Sequence, residues 1–215
     1  MKTHLHAPRG SVLGWLAAAA VALTAGCNLI PPPLPDPTHY YVLTGPALTD
    51  TGGARPGGQL RLGLKTVDLS PYLRKGTLVV RRGTNELFYN EDARWAEPLE
   101  AGIARALRAH LSTVPAVAHV YPQPYPGDQE RDYDVAVNVV RCEGALDAAG
   151  HAAVKFSAVL EINRVKSPGL IVTRKVFTAP DAAWDGKDYG ALAQALSEAV
   201  GALGQEIAAV LPDKE

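Results

Sequence analysis

The segment LRLGLKTVDLSPYLRKGTLVVRRGTNELFYNEDARWAEPLEAGIARALRAHL, residues 60–111, changes its hydrophobic period once, and that change decides the fold class. Leu60, Leu62 and Leu64 alternate with Arg61, Gly63 and Lys65, and Val67 follows, the period-two signature of a half-buried strand. TLVVRRG and ELFYN read as short strands around Gly83-Thr84-Asn85, a hairpin turn. The spacing then shifts. Trp95, Leu99, Ile103, Ala106, Leu107 and Leu111 recur every three or four residues, which predicts an amphipathic helix with Arg94, Glu97, Arg105 and Arg108 turned mostly outward. Pro98 has no N–H for the helix ladder and belongs in a first turn, so the helix is expected to start near Trp95. Pro115 closes it.

The flanks follow the same two periods. HYYVLT (39–44) reads as a first strand, and TGPALTDTGGARPGG as a turn-rich loop whose glycines lack the Gly-Lys-Ser/Thr ending of a phosphate-binding loop. After a strand at VAHVY (117–121), Tyr133, Val135, Val137 and Val139 alternate along a longer one. Leu146 to Gly150 forms a turn into a strand whose core face is Val154, Phe156, Ala158, Leu160 and Ile162. Ser167-Pro168-Gly169 then turns into LIVTRKVF, completing an antiparallel meander that can leave one face wet. Tyr189, Leu192, Leu196, Val200, Leu203, Ile207 and Val210 form one stripe of a closing helix, from about 188 to 211, which Pro212 stops. Its other face is mostly Ala, Gln, Glu and Gly, suited either to a second subunit or to solvent. The expected architecture is α+β: one domain over 39–215, with a mainly antiparallel sheet and two amphipathic helices packed on it.

The N-terminus speaks of address. Lys2 and Arg9 precede VLGWLAAAAVALTA (12–25), an uncharged run of about fourteen residues, short for a bilayer span of ~20 and suited to the apolar region of a secretory signal. Leu23-Thr24-Ala25-Gly26-Cys27 resembles the bacterial lipobox, with Thr24 where that pattern usually has Leu. The resemblance implies cleavage of residues 1–26, diacylglycerol on the Cys27 thiol, and a mature chain beginning there. Residues 27–38, with Pro31, Pro32, Pro33, Pro35 and Pro37, then form a stiff tether, spanning on the order of 30 Å at ~3.1 Å per residue. Asn28, where Asp tends to retain a lipoprotein in the inner membrane, resembles the outer-membrane address.

Composition removes several classes of function. Losing Lys2 and Arg9 lowers the basic count from 21 to 19 against 22 acidic residues, a net charge of −3, so nucleic-acid binding has no electrostatic footprint. With Cys27 lipidated, Cys142 is the remaining thiol; within an apparent strand it reads as a buried hydrophobe and not a nucleophile. No Gly-x-Ser-x-Gly, Ser-x-x-Lys or HExxH motif occurs, and no paired-cysteine zinc spacing. His39, His110, His119 and His151 fall on different elements, Asp132 and Asp134 read as a solvated pair, and Glu97 and Glu100 as partners of nearby arginines. Nothing asks for an enzyme, a cofactor or a metal.

Residues 60–111 resemble the ABC-type transport auxiliary lipoproteins, the group containing paraquat-inducible protein C. The match lies in Pro71-Tyr72-Leu73 after a strand, the basic strand Leu78 to Arg82, an aromatic near Tyr89, and the helix entrance Arg94-Trp95-Ala96-Glu97-Pro98-Leu99. HYYVL behind the tether also matches. These are fold-defining residues, with Trp95 expected to anchor the helix to the sheet. The resemblance implies a non-enzymatic, homo-oligomeric lipoprotein on the outer membrane, its domain in the periplasm. There it would receive an MCE-domain tunnel protein and its inner-membrane complex in lipid transport. The alternative is an envelope assembly lipoprotein assisting an outer-membrane barrel or the lipopolysaccharide machinery.

Overall fold

A computed structural model describes residues 34–47, 57–127, 129–167 and 170–212. The expected signal segment 1–26, Cys27, the expected tether up to Pro33, most of the 44–58 loop and Pro168-Gly169 lie outside the described residues. The chain divides into two units, Met1–Pro37 and Thr38–Glu215. Every described strand and helix belongs to the second.

The elements run β1 (His39–Tyr41), β2 (Leu60–Leu64), β3 (Asp68–Leu69), a 3-10 segment Pro71–Lys75, β4 (Thr77–Arg82), β5 (Glu86–Trp95), α1 (Leu99–Leu111), β6 (Val117–Pro122), β7 (Tyr133–Leu146), β8 (Ala152–Arg164), β9 (Ile171–Thr178), β10 (Ala182–Ala183) and α2 (Tyr189–Ala209). The antiparallel pair β7–β8 is the spine. β2, β3 and β4 attach in turn along the free edge of β7, all parallel to it. From there β2 continues to β6 and β4 to β5 and β1. β9 and β10 line the far edge of β8.

The meander β7–β8–β9 is antiparallel, as its short turns require, but the whole sheet is mixed. β1–β5 and β2–β6 are parallel as well. Residue alternation is blind to strand direction: a strand shows the same period whichever way its neighbour runs.

α1 and α2 pack together and share one core with the sheet. Ile103 and Leu107 of α1, Leu192, Leu196, Val200, Leu203 and Ile207 of α2, and the Val154-to-Ile162 face of β8 are all buried there. The inner residues of β8 are those the alternation picks out, because a one-residue slip would expose the whole set. Asp188 caps α2, its Oδ1 accepting from the N–H of Gly190 at 2.8 Å and Ala191 at 3.0 Å. Trp184, just upstream, covers β7 so closely that a Cβ on Gly144 would lie 2.6 Å from its ring, so only glycine fits there.

One expectation needs correction. Trp95 does not open the helix; it ends β5, hydrogen-bonded between β1 and the start of β4, and α1 begins at Leu99 with Pro98 at its N-cap. Proline disfavours helical backbone in the residue before it, and the ladders on both sides hold residues 94–95 extended. Part of the back face of α2 packs inside the domain, while Ala191, Gln194, Glu198 and Gln205 stay exposed. Ala193, Ser197, Gly201 and Gly204 are buried, and the two glycines lie against His110 of α1.

Candidate functional site

The sequence motifs converge on the junction where β4 begins. Pro71 sits in the first turn of the 3-10 segment, whose Leu73 is buried in the core. Gly76 ends that segment, and its carbonyl accepts from the Trp95 N–H at 2.9 Å. Arg94 pairs in register with Thr77 on one side and Tyr40 on the other, so the Pro-Tyr-Leu turn and the Arg-Trp block are neighbours. The Ala96 N–H then donates to the Tyr41 carbonyl at 2.8 Å, tying HYYVL to the same corner.

Each motif side chain has an architectural partner. The Arg94 guanidinium meets Glu91 at 3.2 Å, and Trp95 is buried. Glu97 accepts from Arg105 Nη2 at 2.5 Å, and that nitrogen also donates to the Leu43 carbonyl at 2.8 Å, stitching the strand end to α1 and the chain behind β1. The Pro98 carbonyl accepts from Ala101 and Gly102, taking up two donors of the first helical turn.

Tyr72 reaches a centre the motifs do not contain. Its hydroxyl donates to Glu143 Oε2 at 2.7 Å. Glu143, on β7, is fully buried. Arg81 of β4 donates from Nε to Oε1 at 2.7 Å and from Nη2 to Oε2 at 3.2 Å, and Arg141 Nε donates to Oε1 at 2.9 Å. One carboxylate therefore clamps the 3-10 segment, β4 and β7. Burial alone raises the Glu143 carboxyl, but the hydrogen bonds from Arg81, Tyr72 and Arg141 outweigh it and hold the group below the usual carboxylate range. The same network raises Tyr72, through burial first and its bond to Glu143 second. Glu143 escaped the sequence reading because a lone glutamate at the end of an alternating strand resembles any solvated one; its arginines come from a different strand and from two residues upstream.

The other candidates stay apart. His110 packs on α2, His119 stacks near Tyr121 with ring centroids 4.2 Å apart, and His151 contacts Asp147. Asp132 Oδ2 accepts from the Arg61 N–H at 2.8 Å, whereas Asp134 pairs with Arg131 at 3.0 Å, so the two aspartates serve different partners. Cys142 is buried, and burial raises its thiol well above the ordinary range. Among the described residues, no group of three or more His, Cys, Asp or Glu stands ready to hold a metal ion, and no helix is long and apolar enough to cross a membrane.

Residues 41–208, from the last residue of β1 almost to the end of α2, match the model of the ABC-type transport auxiliary lipoprotein component. The chain belongs to that family. No curated protein matches it. Two crystal structures share its fold: a Xanthomonas campestris protein of the DUF330 family (18% identity, TM-score 0.66, 80% of this chain and 93% of that one) and an uncharacterized protein (20%, 0.60, 80% and 97%). A PelC dodecamer from Paraburkholderia phytofirmans is more distant, at 13% identity and a TM-score of 0.43 over 75% of this chain and 94% of that one. The chain is thus an auxiliary component of a transport system, and the clamp at Glu143 and the corner at Trp95 define this family member's domain.

Proposed function

We propose that this auxiliary lipoprotein is a non-enzymatic part of an MCE-type intermembrane lipid transport system. Cys27 anchors it to the outer membrane, and the domain faces the periplasm to receive the end of a tunnel protein. Family membership over residues 41–208 carries the reading. The lipobox-like run before Cys27, the proline-rich tether and Asn28 support the address. Diacylation supplies the two-chain anchor that stable membrane attachment requires. A homo-oligomer, which the resemblance implies, would present several copies around one tunnel end.

The test is affinity purification of the tagged, lipidated protein from envelopes in mild detergent, with partners identified by mass spectrometry. Recovery of an MCE-domain protein, retained when Cys27 is replaced and a cleavable signal supplied, supports docking through the domain. Recovery of a barrel-assembly or lipopolysaccharide-transport protein, with no MCE protein even after crosslinking, overturns it in favour of envelope assembly.

A further inference from the structure

A groove of about 370 Å³ runs between the outer side of α1 and the segment joining β2 to β3. Its size falls near the lower end of the ~300–1,000 Å³ typical of small-ligand pockets, room for one aliphatic chain and not for a two-chain lipid. Leu64, Val67 and Pro122 meet Ala101 and Ala104 across it. The small alanines shape the groove: Ala101 and Pro122 are exposed on its walls and Ala104 is half-buried, over a floor formed by the buried Leu64 and Val67. The lining is mainly apolar.

Its charge is one-sided. Lys65, Arg105 and Arg108 line the groove against a single carboxylate, Glu100. Arg105 is engaged by Glu97 and the Leu43 carbonyl, and Glu100 faces Arg74 at 4.0 Å. Lys65 and Arg108 are half-buried, and neither side chain has an acidic partner among the described residues. Two unneutralised cations beside an apolar trough form the complement of an amphiphile with an anionic head: the trough takes the chain, and the cations take the head by charge-assisted hydrogen bonds.

We infer that this groove binds a single-chain amphiphile carrying a carboxylate or phosphate head. The site goes beyond tunnel docking and stands whether or not an MCE protein is the partner. The test uses the mature chain from residue 27 carrying Cys27→Ser, exported behind a cleavable signal, purified without detergent and titrated calorimetrically, below their micellar concentrations, with dodecanoate, dodecyl phosphate and dodecyltrimethylammonium. Inorganic phosphate is titrated as well. One-to-one binding of dodecanoate, dodecyl phosphate or both is expected, and which of them binds identifies the head. The cationic chain should bind at least tenfold more weakly, and inorganic phosphate alone should give no heat. Arg108→Ala and Lys65→Ala should each weaken binding about tenfold. Ala101→Phe, at an exposed helix position, should abolish binding with an unchanged melting temperature. Failure of both anionic chains to bind, equal binding of the cationic one, or full binding by a folded Ala101→Phe variant would overturn the site.

Discussion

Gly201 of α2 lies directly beneath the imidazole of His110 on α1: a Cβ at position 201 would stand 2.9 Å from Cε1 and 3.0 Å from Nε2 of that ring. The two helices approach this closely because one contributes no side chain where the other contributes a ring. Gly201→Val should therefore destabilise the domain by about 1–3 kcal/mol through overpacking. Adding His110→Ala should recover most of that loss, a coupling read from thermal melts of the two single variants and the double variant. Additive effects would show that the ring moves aside freely.

The buried Glu143 clamp should be the most sensitive polar position in the domain. Glu143→Gln leaves Arg81 and Arg141 without their counter-charge, a change that typically costs about 3–5 kcal/mol for a buried ion pair. Tyr72→Phe removes one hydrogen bond to a charged group and should cost about 1.5–3 kcal/mol. Urea midpoints at neutral pH would rank the two, and an equal or reversed order would contradict the clamp.

Acid should weaken the fold in two steps. Burial lowers His110, so the unfolded chain takes up a proton there first, and its contribution is present above ~6.5 and fades as pH falls below it. Glu143 is also held below its ordinary value, so its contribution is present above ~4.3 and fades as pH falls through the folded-state value. Melting temperatures recorded from pH 8 to 3 should lose the upper step in His110→Ala and the lower one in Glu143→Gln.

Cys142 should be inert while the domain is folded. It is buried, and burial disfavours its thiolate, the reactive form. In a Cys27→Ser chain, labelling by an aromatic disulfide reagent should follow global unfolding in urea. Rapid labelling in native buffer would mean that β7 opens locally.

Much of the scaffold was legible in the sequence, for a reason visible in particular residues. Val154 to Ile162 had to share one face because strand side chains alternate, and the Leu192-to-Ile207 stripe had to face inward because a helix repeats every 3.6 residues. The corner at Trp95 was misread because its residues fit a helical spacing equally well. Backbone pairing to Tyr41 and Gly76, both distant in the chain, holds it extended. Asp132 and Asp134 likewise looked like a pair until Arg61 and Arg131 claimed them separately.

What the sequence determined by itself is therefore local: the periods of strand and helix, the turn residues between them, the apolar run before Cys27 and the prolines behind it. These follow from neighbours within a few positions along the chain. Strand direction, the burial of Glu143 under Tyr72 and Arg81, the fit of His110 over Gly201 and the groove at Ala101 and Ala104 were decided only in the tertiary structure. Each depends on groups brought together from separate elements, and one residue's chemistry does not encode which distant partner will neutralise it, cover it or leave it open.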